Sequence, residues 1–314
     1  YGMLISFILF GYNWVSIFFS TASIFNSLAF SYLFYFDTKK IPSNVISIKW
    51  FNAALLFNIV SSFGTFALAY MMVSKQLHQH TYLAAVYWYL HFQYNGWFFF
   101  ACIGLILHEV KILQSDYKQQ NILFWLFFMS CFPAYMLSIL WIKLPTVLFI
   151  VTALAAFLQL FAWVKFVIIF KKYFNEIKQK TPRYIALIII VLAMAMSIKF
   201  LLQLGSNIPS VSKLAFGFRP IVIAYLHLVL LAIISVFLIY YMHLKGLFNN
   251  SKNAVSFTLL LIFGIYLNEF VLGVQGIASF AYILVPFTQQ SLLLIALLMV
   301  FSIFKLFYIT IKTK

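Results

Sequence analysis

The chain has 314 residues, 65% of them hydrophobic and only 8% charged, with a mean hydropathy of +1.03. A soluble domain of this size cannot bury that much apolar surface, so the composition excludes a soluble globular protein and predicts an all-α, polytopic membrane protein. The net charge of +16, from 21 Lys+Arg against 5 Asp+Glu, would suggest a nucleic-acid partner in a soluble protein. In a membrane protein it reads instead as loop lysines facing an anionic cytoplasmic leaflet, so the expected partner is the lipid bilayer and no nucleic acid.

A membrane-spanning helix needs about 20 apolar residues. In chain order, the sequence predicts a partial span at 1–10, a break at Gly11-Tyr12-Asn13, and full spans near 13–36, 50–73, 82–107, 122–142, 145–170, 184–203, 220–242, 255–280 and 288–311. The expectation is one transmembrane helical domain over 1–314, a bundle of nine full spans plus one partial. Tyr1 opens inside an apolar run with no basic leader, so an N-terminal part is expected to be missing rather than cleaved as a signal peptide. The tightest predicted connection is Lys143-Leu144-Pro145, and the region from Gly273 to Pro286 has the least definite boundary.

Loop charge supports this threading. Of the 21 Lys+Arg, fourteen fall in the connections at 37–49, 108–121, 171–183 and 243–254 and in the tail, Lys111 and Lys314 among them. Four fall on the opposite side, namely Lys75, Lys143, Lys213 and Arg219, while Lys165, Lys199 and Lys305 sit near span ends where a stem can snorkel to water. This bias predicts a cytoplasmic C-terminus.

Against this apolar background a few polar residues stand at membrane depth, where an ionisable group is costly and marks a functional site. His91 lies about 13 Å and His227 about 10 Å below the outer ends of their spans, at 1.5 Å per residue. Asn95 follows His91 by four residues and shares its helix face. Glu269 is the one acid deep in a span, readable as a neutral or Lys199-paired carboxyl or as a proton relay. Gln275 lies close to the outer surface, so a polar layer is drawn through one leaflet. Each histidine could simply lock helix packing by hydrogen bonding; two at one depth point to metal or haem-iron ligation. His78 and His80 read as solvated loop residues, and His108 and His243 as interfacial anchors. Cys102 and Cys131 form no CxxC, which argues against a disulfide framework or a structural zinc site. The chain contains no GxSxG, P-loop or GxGxxG motif and no acidic pair for hydrolysis.

Two local patterns resemble a known superfamily. Tyr87-Trp88-Tyr89-Leu90-His91-Phe92-Gln93-Tyr94-Asn95-Gly96-Trp97-Phe98 is similar to the sixth-helix segment of the haem-copper oxidases, most of all in the nitric oxide reductase branch, where an aromatic run leads to a histidine ligand of the non-haem metal. Tyr225-Leu226-His227-Leu228-Val229-Leu230-Leu231-Ala232 resembles the tenth-helix pattern His-x-His-Leu-x-x-Leu-Gly. Counting from these two segments makes the span at 288–311 the twelfth and last helix, and leaves the first two helices before Tyr1. The resemblance implies a haem-copper-oxidase-like fold, with His227 as the low-spin haem ligand, Tyr225 at the high-spin haem position, and His91 and Asn95 at the second metal. The chain departs from the pattern in three places: Ile122–Ile142 holds no histidine pair, Tyr225 replaces a histidine, and Asn95 stands where the reductase branch has a glutamate.

The expected function is therefore that of a divergent haem-binding membrane protein of the cytochrome oxidase subunit I type, with a respiratory electron-transfer, gas or redox role and a degenerate binuclear centre. Haem is the expected cofactor, copper or non-haem iron is not expected, and catalysis, if present, would be a respiratory oxidoreduction. Partners would be respiratory or other membrane-complex subunits. The alternatives are a secondary transporter or channel using the polar layer, with discontinuous helices near Gly264, Gly273 and Gly276, or a non-catalytic subunit of a membrane complex.

Overall fold

A computed structural model describes residues 1–11, 13–42, 45–75, 78–110, 116–248 and 251–312 of the chain. Among the residues named above, Tyr12, Lys111 and Lys314 lie outside the described ones. The described residues form helices and connections: α1 (Gly2–Phe10), α2 (Trp14–Thr38), α3 (Ile46–Val73), α4 (Gln79–His91), α5 (Phe99–Glu109), α6 (Tyr117–Ala134), α7 (Thr146–Lys180), α8 (Arg183–Gly205), α9 (Pro209–Gly217), α10 (Arg219–His227), α11 (Val236–Leu244), α12 (Lys252–Phe280) and α13 (Thr288–Lys312). A π-helical segment, Phe92–Phe98, joins α4 to α5; a second, Leu228–Ser235, joins α10 to α11; and a 3₁₀ turn, Tyr135–Ile139, follows α6.

Nine of the described helical stretches are long and apolar enough to cross a membrane, and they coincide with the nine full spans expected from hydropathy. Local chemistry sets their ends. Gly11 adopts φ +58°, in the left-handed region that glycine enters without a Cβ penalty, and breaks α1 from α2. Asn13 then caps α2 by accepting from the Trp14 N–H at 2.6 Å. Pro145 and Pro182 precede α7 and α8, where a missing N–H costs nothing. Ser251 caps α12, accepting from Ala254 N–H at 3.3 Å. The short helix α9, in the connection after α8, was not expected from the sequence. Conversely, α12 runs unbroken through Gly264, Gly273 and Gly276, so the discontinuity that would mark a transporter-type helix does not occur there.

The chain divides into two compact units, Tyr1–Phe124 and Trp125–Lys314. In the first, α3 packs against α4, the π segment and α5. Trp50, Phe57, Phe92 and Phe100 are buried along this seam, with Trp50–Phe100 and Phe57–Phe100 ring centroids 5.0 Å apart. Lipid is as apolar as these rings, so close packing and hydrogen bonds, not apolar burial, hold such helices together. A polar seam supplies the bonds. Gln93 Nε2 donates to Asn58 Oδ1 at 3.0 Å and to Ser61 Oγ at 2.6 Å, Asn58 Nδ2 donates to Ser27 Oγ, and Trp88 Nε1 donates to the Val60 carbonyl at 2.8 Å.

In the second unit, α7 and α8 are stitched twice. Trp163 Nε1 donates to Ser197 Oγ at 2.9 Å, and Gln203 Nε2 donates to Gln159 Oε1 at 2.8 Å. Helix α12 packs against α13 on one side and α10 on another.

Close approach in the first unit requires Gly64. A Cβ there would lie 2.6 Å from the Ala85 carbonyl oxygen and 2.8 Å from the Tyr89 nitrogen, both backbone atoms of α4 that cannot move aside. Gly64→Val is therefore expected to destabilise the protein by about 1–3 kcal/mol, read as a lower thermal unfolding midpoint in detergent. Gly217→Ala, which meets nothing within 4 Å, should leave the midpoint unchanged; equal midpoints for the two variants would refute this account of α3–α4 packing.

Candidate functional site

Both deep histidines occupy the same local position. His91 is the last residue of α4 and His227 the last of α10, and each is followed directly by a π-helical segment. A π turn accommodates an extra residue in the helix, weakens the regular hydrogen-bond ladder and is frequent at functional positions. In the first segment the Phe99 N–H reaches back five residues to the Tyr94 carbonyl. In the second, side chains fill the disturbed ladder: Ser235 Oγ donates to the Leu230 carbonyl at 2.9 Å, and Tyr266 Oη of α12 donates to the Ala232 carbonyl at 3.0 Å and the Val191 carbonyl at 3.3 Å.

His227 is bound to α12. Its Nδ1 lies 3.2 Å from Asn268 Nδ2 and 3.9 Å from Glu269 Oε1, and Asn268 Nδ2 also donates to Glu269 Oε1 at 3.3 Å. The amide of Asn268 thus sits between an imidazole and a carboxylate. Asn268 is 5% exposed and the Glu269 side chain 9%, while 46% of the His227 side chain stays uncovered. Among the described residues, His227 Nε2 has no hydrogen-bond partner. Tyr225, two residues earlier, projects from the far side of α10, because residues two apart on a helix do not share a face.

His91 is only 1% exposed. Its Nδ1 lies 3.1 Å from Asn95 Nδ2, and its ring meets that of Phe92 edge-on at 5.1 Å. His91 and Asn95 share a helix face as expected, and Asn95 is a hydrogen-bond partner of the histidine. Among the described residues, no group of three or more His, Cys, Asp or Glu side chains gathers where it could hold a metal ion. Cys102 and Cys131 are free thiols.

Three sequence expectations are corrected. Lys199 does not snorkel and does not pair with Glu269: it is 4% exposed, and its Nζ lies over the Phe200 ring, 4.1 Å from the centroid. The aromatic face replaces water as its neighbour. Glu269 instead lies beside His227, with Oε1 3.9 Å from Nδ1. His243 is not an interfacial anchor but is 2% exposed, with Nδ1 3.3 Å from Tyr184 Oη and Nε2 2.8 Å from Thr258 Oγ1. Thr258 gives its own proton to the Ala254 carbonyl at 2.9 Å, so its oxygen accepts from Nε2–H and Nδ1 accepts from the tyrosine. His243 thereby ties α8, α11 and α12 together. His78, His80 and His108 are exposed, as expected.

Asn268 was not singled out from the sequence, since an asparagine beside an acid carries no distinctive signal. Only the packing of α10 on α12 reveals it.

Replacing His243 with Phe removes the hydrogen bonds to Tyr184 and Thr258 at a buried position, so His243→Phe is expected to cost about 1–3 kcal/mol in detergent thermal unfolding. His78→Ala should cost nothing measurable, and equal stability of the two variants would remove the structural role assigned to His243.

Compared with protein-family models, curated proteins and solved structures, the chain matches none, and the haem-copper resemblance rests on the residues quoted above alone.

Proposed function

We propose that this multi-pass membrane protein binds haem through His227 and serves electron transfer, or gas or redox handling, in a bacterial inner membrane. The carrying observation is the His227 imidazole at membrane depth, held through Nδ1 by Asn268 and Glu269 with Nε2 left unpartnered among the described residues. A histidine that ligates iron through Nε2 keeps its proton on Nδ1 and gives it to an acceptor that fixes the ring. As placed, Nδ1 faces Asn268 Nδ2; rotating that amide presents Oδ1 as the acceptor, with the Glu269 carboxyl 3.9 Å away as its neighbour. The donor set therefore fits a single axial histidine. Bound haem would supply reversible one-electron storage at membrane depth. Around it, Asn268 and Glu269 hold the Nδ1 proton and orient the ring, and the uncovered face of His227 accommodates the ligand or a neighbouring subunit.

A second metal is not part of this reading. His91 and Asn95 supply two donors that already bond each other, and one neutral amide and one imidazole make a poor set for copper or non-haem iron. The cytoplasmic C-terminus rests on the loop-charge bias of fourteen against four, and bacterial inner-membrane placement on the haem-copper resemblance.

One observation favours a second reading. The sequence Glu269, Asn268, His227 forms a continuous acid–amide–imidazole path between α12 and α10, which suits proton movement coupled to transport. The unbroken course of α12 argues for the haem reading over this one.

The optical spectrum separates them. The full-length protein, produced with added haem, is expected to carry a Soret band that His227→Ala abolishes and His91→Ala retains. Glu269→Gln should keep the band and shift the reduction potential. Lack of a Soret band in the unaltered protein, or a band indifferent to His227→Ala, would overturn the proposal.

A further inference from the structure

Helix α8 carries a second polar feature, separate from the His227 site. Lys199 and Gln203, four apart on α8, share one face, and Asn207, in the turn after Gly205, folds its amide back onto the end of that helix. The three make a stripe from within the span to the connection between α8 and α9. Lys199 lies about 9 Å, measured along the helix, from the Gly205 end. Its ammonium has three donors to place, yet the described residues offer it no hydrogen bond and no ion pair, only the face of Phe200. The Cys131 thiol on α6 is the titratable side chain beside it. Phe200 in turn packs on Trp163 of α7 and Phe127 of α6, with ring centroids 5.9 and 6.0 Å away, so the ring that Lys199 meets belongs to an aromatic cluster.

The other members of the stripe have the opposite deficit. Gln203 is 6% exposed; its Nε2 is taken by Gln159, and its Oε1 is buried without a donor among the described residues. Asn207 gives its Nδ2 to the carbonyls of Gln203 at 3.3 Å and Leu204 at 3.1 Å, and its Oδ1 is likewise buried without a donor. An unplaced donor thus stands at one end and two unfilled acceptors stand towards the other. An anion would satisfy the ammonium but be repelled by the two oxygens. Water accepts from the first and donates to the others, and buried waters occupy such polar gaps.

We propose that Lys199, Gln203 and Asn207 line a hydrated inlet, in which waters connect the Lys199 ammonium to the aqueous end of α8. Protons can move along it. A proton leaving Nζ passes to the adjacent water while that water releases one onward, and the return of a proton restores the ammonium. Only N–H and O–H bonds break and form, so the step needs no redox partner.

Cysteine accessibility tests the inlet. In full-length Cys102→Ala/Cys131→Ala protein held in lipid nanodiscs, Asn207→Cys, Gln203→Cys and Ile198→Cys are each reacted with a water-soluble methanethiosulfonate ethylammonium reagent. Ile198 is 48% exposed on the outside of the helix and serves as the lipid-facing control. Because the thiolate forms only where water reaches, Asn207→Cys and Gln203→Cys should react at least about ten-fold faster than Ile198→Cys. Adding Lys199→Met should slow Gln203→Cys, with Lys199→Gln as the substitute if that variant elutes as aggregate. In the unaltered chain, cyanate should carbamylate Lys199, read by peptide mass spectrometry. A Gln203→Cys rate equal to that of Ile198→Cys, a rate insensitive to the loss of Lys199, or a fully protected Lys199 would each overturn the proposal.

Discussion

In hydrocarbon no water stands ready to satisfy a polar group, so each one must find its partner inside the protein or remain at high cost. Much of this structure follows from that constraint. The apolar faces gain nothing by leaving lipid for one another, and helix pairing is therefore decided by steric fit and by a small number of side-chain hydrogen bonds. Asn58, Ser61 and Gln93 join α3 to the π segment after α4, Gln159 joins Gln203 across α7 and α8, and His243 joins Tyr184 and Thr258. These residues are scattered through long apolar runs, yet nearly all are buried against one another, not turned to lipid.

The same constraint explains why the π segments are tolerated where they are. Relaxing the hydrogen-bond ladder within a span leaves carbonyls that must be satisfied locally. Behind His227, Tyr266 and Ser235 do so, one from a neighbouring helix and one from within the segment itself. The π segment after His227 is thus tied to α12 through Tyr266, while the His227 ring lies against Asn268 and Glu269 of the same helix. A ring held this way, with one nitrogen unpartnered among the described residues, is suited to binding something. His91 opens a comparable segment but is enclosed, and its bond to Asn95 leaves it better suited to holding its own helix in shape.

Lys199 marks the limit of internal satisfaction. Its position four residues before Gln203 could be read from the chain, but its direction could not. A lysine near a span end is expected to reach for the surface, whereas here the aromatic cluster of Phe200, Trp163 and Phe127 draws its stem inward.

The nine spans were legible without any structure, as was the break at Gly11. The spans depend only on composition and on a rise per residue that is the same in every α-helix. The π segments were not legible, because Phe92–Phe98, with its Gln93, Asn95 and Gly96, and the wholly apolar run before Ser235 share no compositional signal. Nor were the partnership of His227 with Asn268 and Glu269, the burial of Lys199, or the bonding of both His243 nitrogens. Hydropathy reports how deep a residue lies and not which way its side chain faces. Facing is decided by which helix packs beside it, a property of contacts between residues tens of positions apart, and it appears only once the chain has folded.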